Sequence, residues 1–319
     1  EAMFDDLLNA KDGRAIVIAA GNSFEDEIHT MGTVTSLKPV EIEWFIQSHA
    51  KVAWEQRQEM EIWYESPEDF DVEIFAPNGD LVGSCPLGTT RYAQKADAAE
   101  AVLLIKHHFD PEANEKHINV FIDDRYPKLL LGGYRFRLSG ISEQNLEGGQ
   151  FHAWIERNDT YPSNFTPQSS QSAFTINSIG NASLPIVVGA YNSRTNGDPI
   201  AEFSSAGPSR NQNAALKPDV SAPGVNIFAA RALHSELDDG IVKSGTSMAA
   251  PHVTGLVALL FQAAYQLQQP PKPLKMNDVR QILIQTADIN PPQAGAGNHD
   301  SRYGFGRVNG VNALDQVLS

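Results

Sequence analysis

Residues 244–255 read Ser-Gly-Thr-Ser-Met-Ala-Ala-Pro-His-Val-Thr-Gly, and an apolar run continues from them to Gln266. The spacing predicts a long helix over Ala249–Gln266, with Ser247 at its start. There the first backbone N–H groups lack intrahelical partners, and the helix dipole favours a developing negative charge. Gly245 and Thr246 permit a tight approach into that position. Pro251 is expected in the first turn, where a missing N–H costs nothing. Gly255, with no side chain, is expected to let the helix pack closely on a sheet. A hydroxyl exposed beside an anion-stabilising helix end has the two features that a nucleophilic serine needs. For a lone serine here, helix capping would be the ordinary reading.

Working outward, the flanking sequence is of the α/β kind. Phe4, Leu7 and Leu8 recur at helical spacing, and Lys11–Arg14 is a turn. Ala15–Ala19 is a short apolar run suited to a buried parallel strand, and it ends in Ala20-Gly21-Asn22. In such sheets, sites lie at the carboxyl ends of strands. Pro185–Ala190 reads as a second buried strand. Asn277–Ala287 reads as an amphipathic helix carrying Val279, Ile282, Leu283 and Ile284 near one face.

Between these parts the pattern changes to period two. Glu59–Glu65, Asp71–Phe75 and Tyr134–Leu138 alternate polar and apolar residues. Pro77–Asp80 and Gly132-Gly133 are turns, and Val102–Ile105, Ile118–Ile122 and Phe151–Ile155 are further strands. About eight short strands suggest an inserted β-sandwich of the jelly-roll kind. All four tryptophans, Trp44, Trp54, Trp63 and Trp154, fall here. At strand spacing they are expected in the core; exposed, they would suggest carbohydrate binding. Asn158–Ser172 is a polar linker. The expected domains are 1–30, 31–171 and 172–319.

A net charge of −15 argues against nucleic acid as a partner. No uninterrupted apolar run reaches the ~18 residues of a membrane span, so no membrane is expected as a partner. The single cysteine, Cys85, can form no internal disulfide. The opening Glu1–Leu8 reads as an amphipathic helix met midway, so a piece of a longer protein is expected.

The Ser244–Gly255 string resembles the active-site serine signature of the subtilases, the subtilisin-like serine proteases. Ala19–Asn22 resembles their oxyanion-hole segment. Phe203–Pro208, Lys217–Gly224 and Arg302–Gly310 resemble further family segments. The resemblance implies a partial α/β subtilase fold, a parallel sheet with flanking helices, with Ser247 as nucleophile and Asn22 as side-chain oxyanion donor. Ala20 and Gly21 would border a peptide or protein substrate. Asp219 is expected to be structural, because the family places its catalytic Asp far upstream of the serine.

The family orders its triad Asp, His, Ser, with the His followed by Gly-Thr. None of the nine histidines here is followed by Gly, and no Asp stands in an Asp-Ser-Gly or Asp-Thr-Gly string. Both residues are therefore expected in an upstream half of the same catalytic domain, and this chain alone is expected to be inactive. The alternatives are a pseudoprotease scaffold, or a binding module whose function resides in the β-domain. His252 is expected in the core and His29 at the surface or a hinge. His107 and His108, on opposite strand faces, are not expected to share a metal. The layout is similar to that of clostridial spore-germination proteases. There the inserted domain would either gate substrate or merely stiffen the enzyme. Calcium and secretion are implied by the resemblance alone, and no metal-ligating residues are singled out.

Overall fold

The computed structural model describes residues 2–35, 37–47, 58–65, 69–93, 103–122, 131–141, 148–157, 162–210, 216–232, 240–267, 273–288 and 299–319. His49, Trp54, Val102, His234 and part of the 158–172 linker lie outside them. The chain forms two compact units: Glu1–Glu25 with Ser172–Ser319, and Asp26–Gln171.

The first unit opens with helix α1 (Ala2–Asn9) and strand β1 (Val17–Ala19). The second unit then runs through β2 (His29–Val34), β3 (Val40–Ile46), β4 (Gln58–Glu65), β5 (Phe70–Phe75), β6 (Leu81–Ser84) and β7 (Thr89–Ala93). It continues with β8 (Leu103–Asp110), β9 (Glu115–Ile122), β10 (Gly132–Gly140), β11 (Gly149–Ile155) and β12 (Ser163–Phe165). These strands build a five-stranded sheet in the order β12-β3-β10-β5-β6 and a six-stranded sheet in the order β2-β11-β4-β9-β8-β7. The alternation read from the sequence sets the inward faces. Trp44, Phe136 and Val72 from one sheet share a single core with Ile62, Val120 and Phe151 from the other.

Trp44, Ser163, Gln58, Tyr64 and His107 pair polar atoms inside this unit. Trp44 Nε1 donates to Ser163 Oγ at 2.8 Å, and that hydroxyl donates to Gln58 Oε1 at 2.7 Å. His107 Nδ1 lies 2.9 Å from the Cys85 carbonyl, which can only accept. The proton is therefore on Nδ1, and Nε2 accepts from the Tyr64 hydroxyl at 2.8 Å. Burial lowers the His107 pKa and raises that of Tyr64.

Two expectations fail in this unit. His29 is fully buried, stacked on both His152 and Trp154. Trp63 and Trp154 are half-exposed rather than core residues, because they share the outer face of the six-stranded sheet; among the described tryptophans, Trp44 alone is interior. Trp63 lies flat on His117 at 3.9 Å.

The first unit resumes with β13 (Ile186–Tyr191), β14 (Val220–Pro223), β15 (Ile227–Ala230) and β16 (Gly240–Lys243). Helices α2 (Thr246–Leu267), α3 (Met276–Thr286) and α4 (Gly310–Leu318) complete it. Its sheet is parallel, in the order β1-β13-β14, with Val17 opposite Ile186 and Val188 opposite Val220. β15 and β16 form a separate antiparallel ribbon. α2 packs on all three parallel strands and on α4, burying Ala249, Val253, Leu256, Leu260 and Ala264. α2 is long and apolar enough to cross a membrane, but this packing makes it a core helix.

The opposite side of α2 departs from expectation. His252 is exposed rather than packed in the core, and a side chain at Gly255 would meet open space instead of a sheet. Both lie on the helix face turned away from β13. Pro251 stands one turn further in than expected, because the helix begins at Thr246. Its absent N–H leaves the Ser247 carbonyl without the usual helical partner.

Asp219 anchors the interior of this unit. Its carboxylate accepts from Val187 N at 2.7 Å, from the fully buried Lys217 Nζ at 2.9 Å, and from Arg280 Nε. Burial lowers the Lys217 pKa, and the Asp219 charge opposes that shift. Asp219 is structural, as its place in the Lys217–Gly224 segment predicts.

Candidate active site

Ser247 is the second residue of α2 and is exposed, while Gly245 and Thr246 before it are buried. β1 ends at Ala19, and Ala20-Gly21-Asn22 leave its carboxyl end. These two segments meet. The Thr246 N–H donates to Asn22 Oδ1 at 2.9 Å, and the Thr246 hydroxyl donates to the same oxygen at 3.0 Å. The Gly21 N–H donates back to Thr246 Oγ1 at 3.1 Å. A backbone N–H can only donate, so the atom facing it must be the carboxamide oxygen. Asn22 Nδ2 is thereby turned the other way, toward Gly245.

Gly245 explains its own identity. Its φ is +154°, and a Cβ there would lie 3.3 Å from Asn22 Nδ2. Any side chain would press on the amide that the turn is built around. Gly21 is constrained in a similar way: its φ is +112°, and a Cβ would come within 2.8 Å of Ser205 Oγ.

The backbone around Asn22 is pinned from the other side by residues 203–205. Ser205 N donates to the Gly21 carbonyl at 3.0 Å, Ser23 N to Ser205 Oγ at 2.9 Å, and Phe24 N to the Phe203 carbonyl at 3.3 Å. Asn177 adds a bond from Nδ2 to the Ala19 carbonyl at 2.6 Å. The structure thus brings together Ser247, Asn22, Ala20 and Gly21. It also shows what the sequence reading left out: Thr246 as the lock on Asn22, and Ser205 as its backbone clamp. Thr246 stands inside the serine signature, so its position was a signal. Ser205 stands in the Phe203–Pro208 segment, whose resemblance marked the loop but not the clamping role of this serine.

No base stands beside Ser247 among the described residues. His252 Nδ1 is 2.9 Å from the Met248 carbonyl one turn back, and His299 Nε2 is 2.8 Å from the Pro218 carbonyl. Burial lowers the His299 pKa. Nor is any group of three His, Cys, Asp or Glu among the described residues placed to hold a metal ion.

Comparison with known proteins identifies the family. Residues 148–306 match the model of the subtilase family. The chain belongs to the subtilase family. Its curated relatives include two subtilisin-like proteases of Arabidopsis thaliana. SBT3.4 is 50% identical over 66 residues, covering 20% of this chain and 8% of that one. SBT4.4 is 36% identical over 129 residues, covering 37% of this chain and 16% of that one. Among solved structures, the CspB protease of Clostridium perfringens superposes with a TM-score of 0.77 at 21% identity, covering 99% of this chain and 63% of that one. That likeness shows a shared fold. The chain spans only 8–16% of the length of these two plant subtilases.

Proposed function

We propose that this chain supplies the nucleophile and oxyanion hole of a serine endopeptidase. The observation that carries the reading is the contact between Asn22 and Thr246 across 224 positions of sequence. It brings a carboxamide donor to the start of the helix that bears an exposed serine. In the reaction Ser247 Oγ attacks the peptide carbonyl and forms an acyl-enzyme, which water then hydrolyses. The tetrahedral oxyanion accepts from Asn22 Nδ2 and from the Ser247 N–H at the positive end of α2. A single side-chain donor of this kind is worth about 10²–10³ in turnover. Ala20 and Gly21 border the substrate backbone.

The serine proton requires a base and a carboxylate to orient it. In the proposed enzyme, a further segment of the same catalytic domain carries both. Two features support this. α2 exposes Pro251, His252, Gly255 and Leu259 along one side, although a helix this apolar is ordinarily covered all round. β1 is an edge strand of a parallel sheet, paired only with β13 among the described residues. This chain alone is then inactive. The proposed division is a subtilase domain interrupted by a jelly-roll-type domain, expected from the sequence at residues 31–171 and packed as a compact unit over Asp26–Gln171.

The test is labelling with a fluorophosphonate serine probe, located by mass spectrometry. It is run on this chain alone and on the full polypeptide. Labelling of Ser247 only in the full polypeptide, lost on Ser247→Ala, is the expected result. No labelling in a folded full polypeptide would replace this reading with that of a pseudoprotease.

A further inference from the structure

Asn22 must present its amide to within a few tenths of an ångström if it is to stabilise an oxyanion. Thr246 fixes the side chain. Something must also fix the backbone, because Gly21-Asn22-Ser23-Phe24 is an irregular segment beyond the end of β1. Residues 203–205 clamp it, but they are irregular as well. Their own anchor lies far away in sequence, at Arg302.

The Arg302 guanidinium donates from Nη2 to the Ala201 carbonyl at 2.7 Å and the Glu202 carbonyl at 2.8 Å. From Nε it donates to the Ser204 carbonyl at 3.2 Å. Its Cζ also stands 3.5 Å from the centroid of the Phe24 ring, two residues beyond Asn22. A planar fork satisfies three carbonyls and stacks on an aromatic face at the same time, which an ammonium cannot do. Arg302 is itself held rigidly. Its N–H donates to Asp300 Oδ1 at 2.8 Å, and its carbonyl packs so closely on Gly189 that a Cβ there would be 2.4 Å away. Burial lowers the guanidinium pKa, and the neighbouring Asp300 and Glu25 carboxylates oppose that shift.

We infer that Arg302 is a positioning residue for the oxyanion hole, acting on Asn22 through the Phe24 ring and through the carbonyls of residues 201–204. The inference rests on the protease reading for its kinetic consequence and on geometry alone for its structural one. The chain of contacts is short. Arg302 fixes Ala201, Glu202 and Ser204; Phe203 and Ser205 between them fix Phe24, Ser23 and Gly21; Asn22 is enclosed by these. A misplacement of about 1 Å remote from the chemistry can cost about a hundredfold in rate.

The experiment has two arms. In this chain, the Asn22 side-chain amide is followed by 15N NMR in the wild type, in Arg302→Lys and in Phe24→Leu. The second variant removes the stack alone and keeps the arm informative if the first folds poorly. Displaced or broadened Asn22 amide signals with unchanged signals from Val253 and Leu260 are expected; an unmoved Asn22 signal overturns the inference. In the full polypeptide, Arg302→Lys is expected to lower kcat about ten- to a hundredfold with KM unchanged, and to have no further effect in an Asn22→Ala background. A loss that persists undiminished in that background makes Arg302 merely structural. A full polypeptide that is inactive before any substitution overturns the protease reading instead, and the NMR arm still decides the role of Arg302.

Discussion

The two units close their interiors by different means. In the unit spanning Asp26–Gln171, Trp44, Tyr64, Phe70, Phe136, Phe151 and Phe165 are all fully buried between two sheets of the unit itself. Among the described residues of the other unit, the largest fully buried side chain is Lys217. The buried side chains of its main apolar cluster are Ala, Val, Ile and Leu with Met276, on a three-stranded sheet, and one side of its central helix is exposed. One unit is sealed by aromatic packing. The other depends on a buried ionic network and leaves one side of α2 exposed. That contrast is what a self-contained insertion and an incomplete catalytic domain would each produce.

The contrast can be broken most forcefully at Asp219. Asp219→Ala leaves Lys217 and Arg280 without their carboxylate inside the unit, which costs about 3–5 kcal/mol. Urea unfolding should show this loss in the unit that holds Asp219 and none in the β-unit. An equal loss in both would mean that the two interiors are not independent.

Acid should test the β-unit next. Burial, aided by the positive charge of His108, pushes the His117 pKa down from 6.5 to about 4. Between those values the unfolded chain binds the proton that the folded chain refuses. Stability is therefore full above pH 6.5 and falls as pH drops toward 4. At ~1.4 kcal/mol per pKa unit, the loss from this group is on the order of 3 kcal/mol. Trp63 stacks on His117, so its fluorescence reports the titration directly. A flat stability profile across that interval would contradict the buried, neutral imidazole.

Tyr64→Phe probes the same interior more gently. It removes the donor to His107 Nε2 and leaves a buried acceptor unpaired, at a cost of about 1–3 kcal/mol. His107→Leu in addition removes that unpaired acceptor but leaves the Cys85 carbonyl without its donor, so only part of the cost should be recovered.

Much of this arrangement is legible in the chain itself. Strict alternation in β4, β5 and β10 fixes which residues face the core, because a strand has only two faces. The serine signature fixes the start of α2, and the Ala-Gly-Asn segment fixes its partner. What cannot be read is directional and long-range. Gly255 and His252 point outward because their side of α2 is uncovered, and helical period alone does not say which of two apolar faces is covered. Thr246 is within the signature, yet its hold on Asn22 needs the fold to bring together residues 224 positions apart. Arg302 opens a segment that resembles the family, yet its role gives no local sign, since its partners are backbone carbonyls, which every residue has.

The smallest expected effect on stability is also the one that bears most directly on the open face. Leu259 is 49% exposed in the middle of that side of α2. Leu259→Ser should change the stability of this chain by less than about 0.5 kcal/mol, the ordinary range for a surface substitution. If the face is covered in the complete catalytic domain, the same change forfeits the burial of a leucine, about 1.5–3 kcal/mol. Association with a separately produced segment carrying the Asp and His should then weaken about ten- to a hundredfold, because each 1.4 kcal/mol is about tenfold in Kd. Leu256, on the buried side of the same helix at 8% exposure, supplies the opposite pattern. Its replacement by Ala should cost about 2–5 kcal/mol in the isolated chain. Two leucines three positions apart, one silent in isolation and one not, would separate the covered face from the waiting one. Equal effects at both positions would mean that α2 is already complete on both sides.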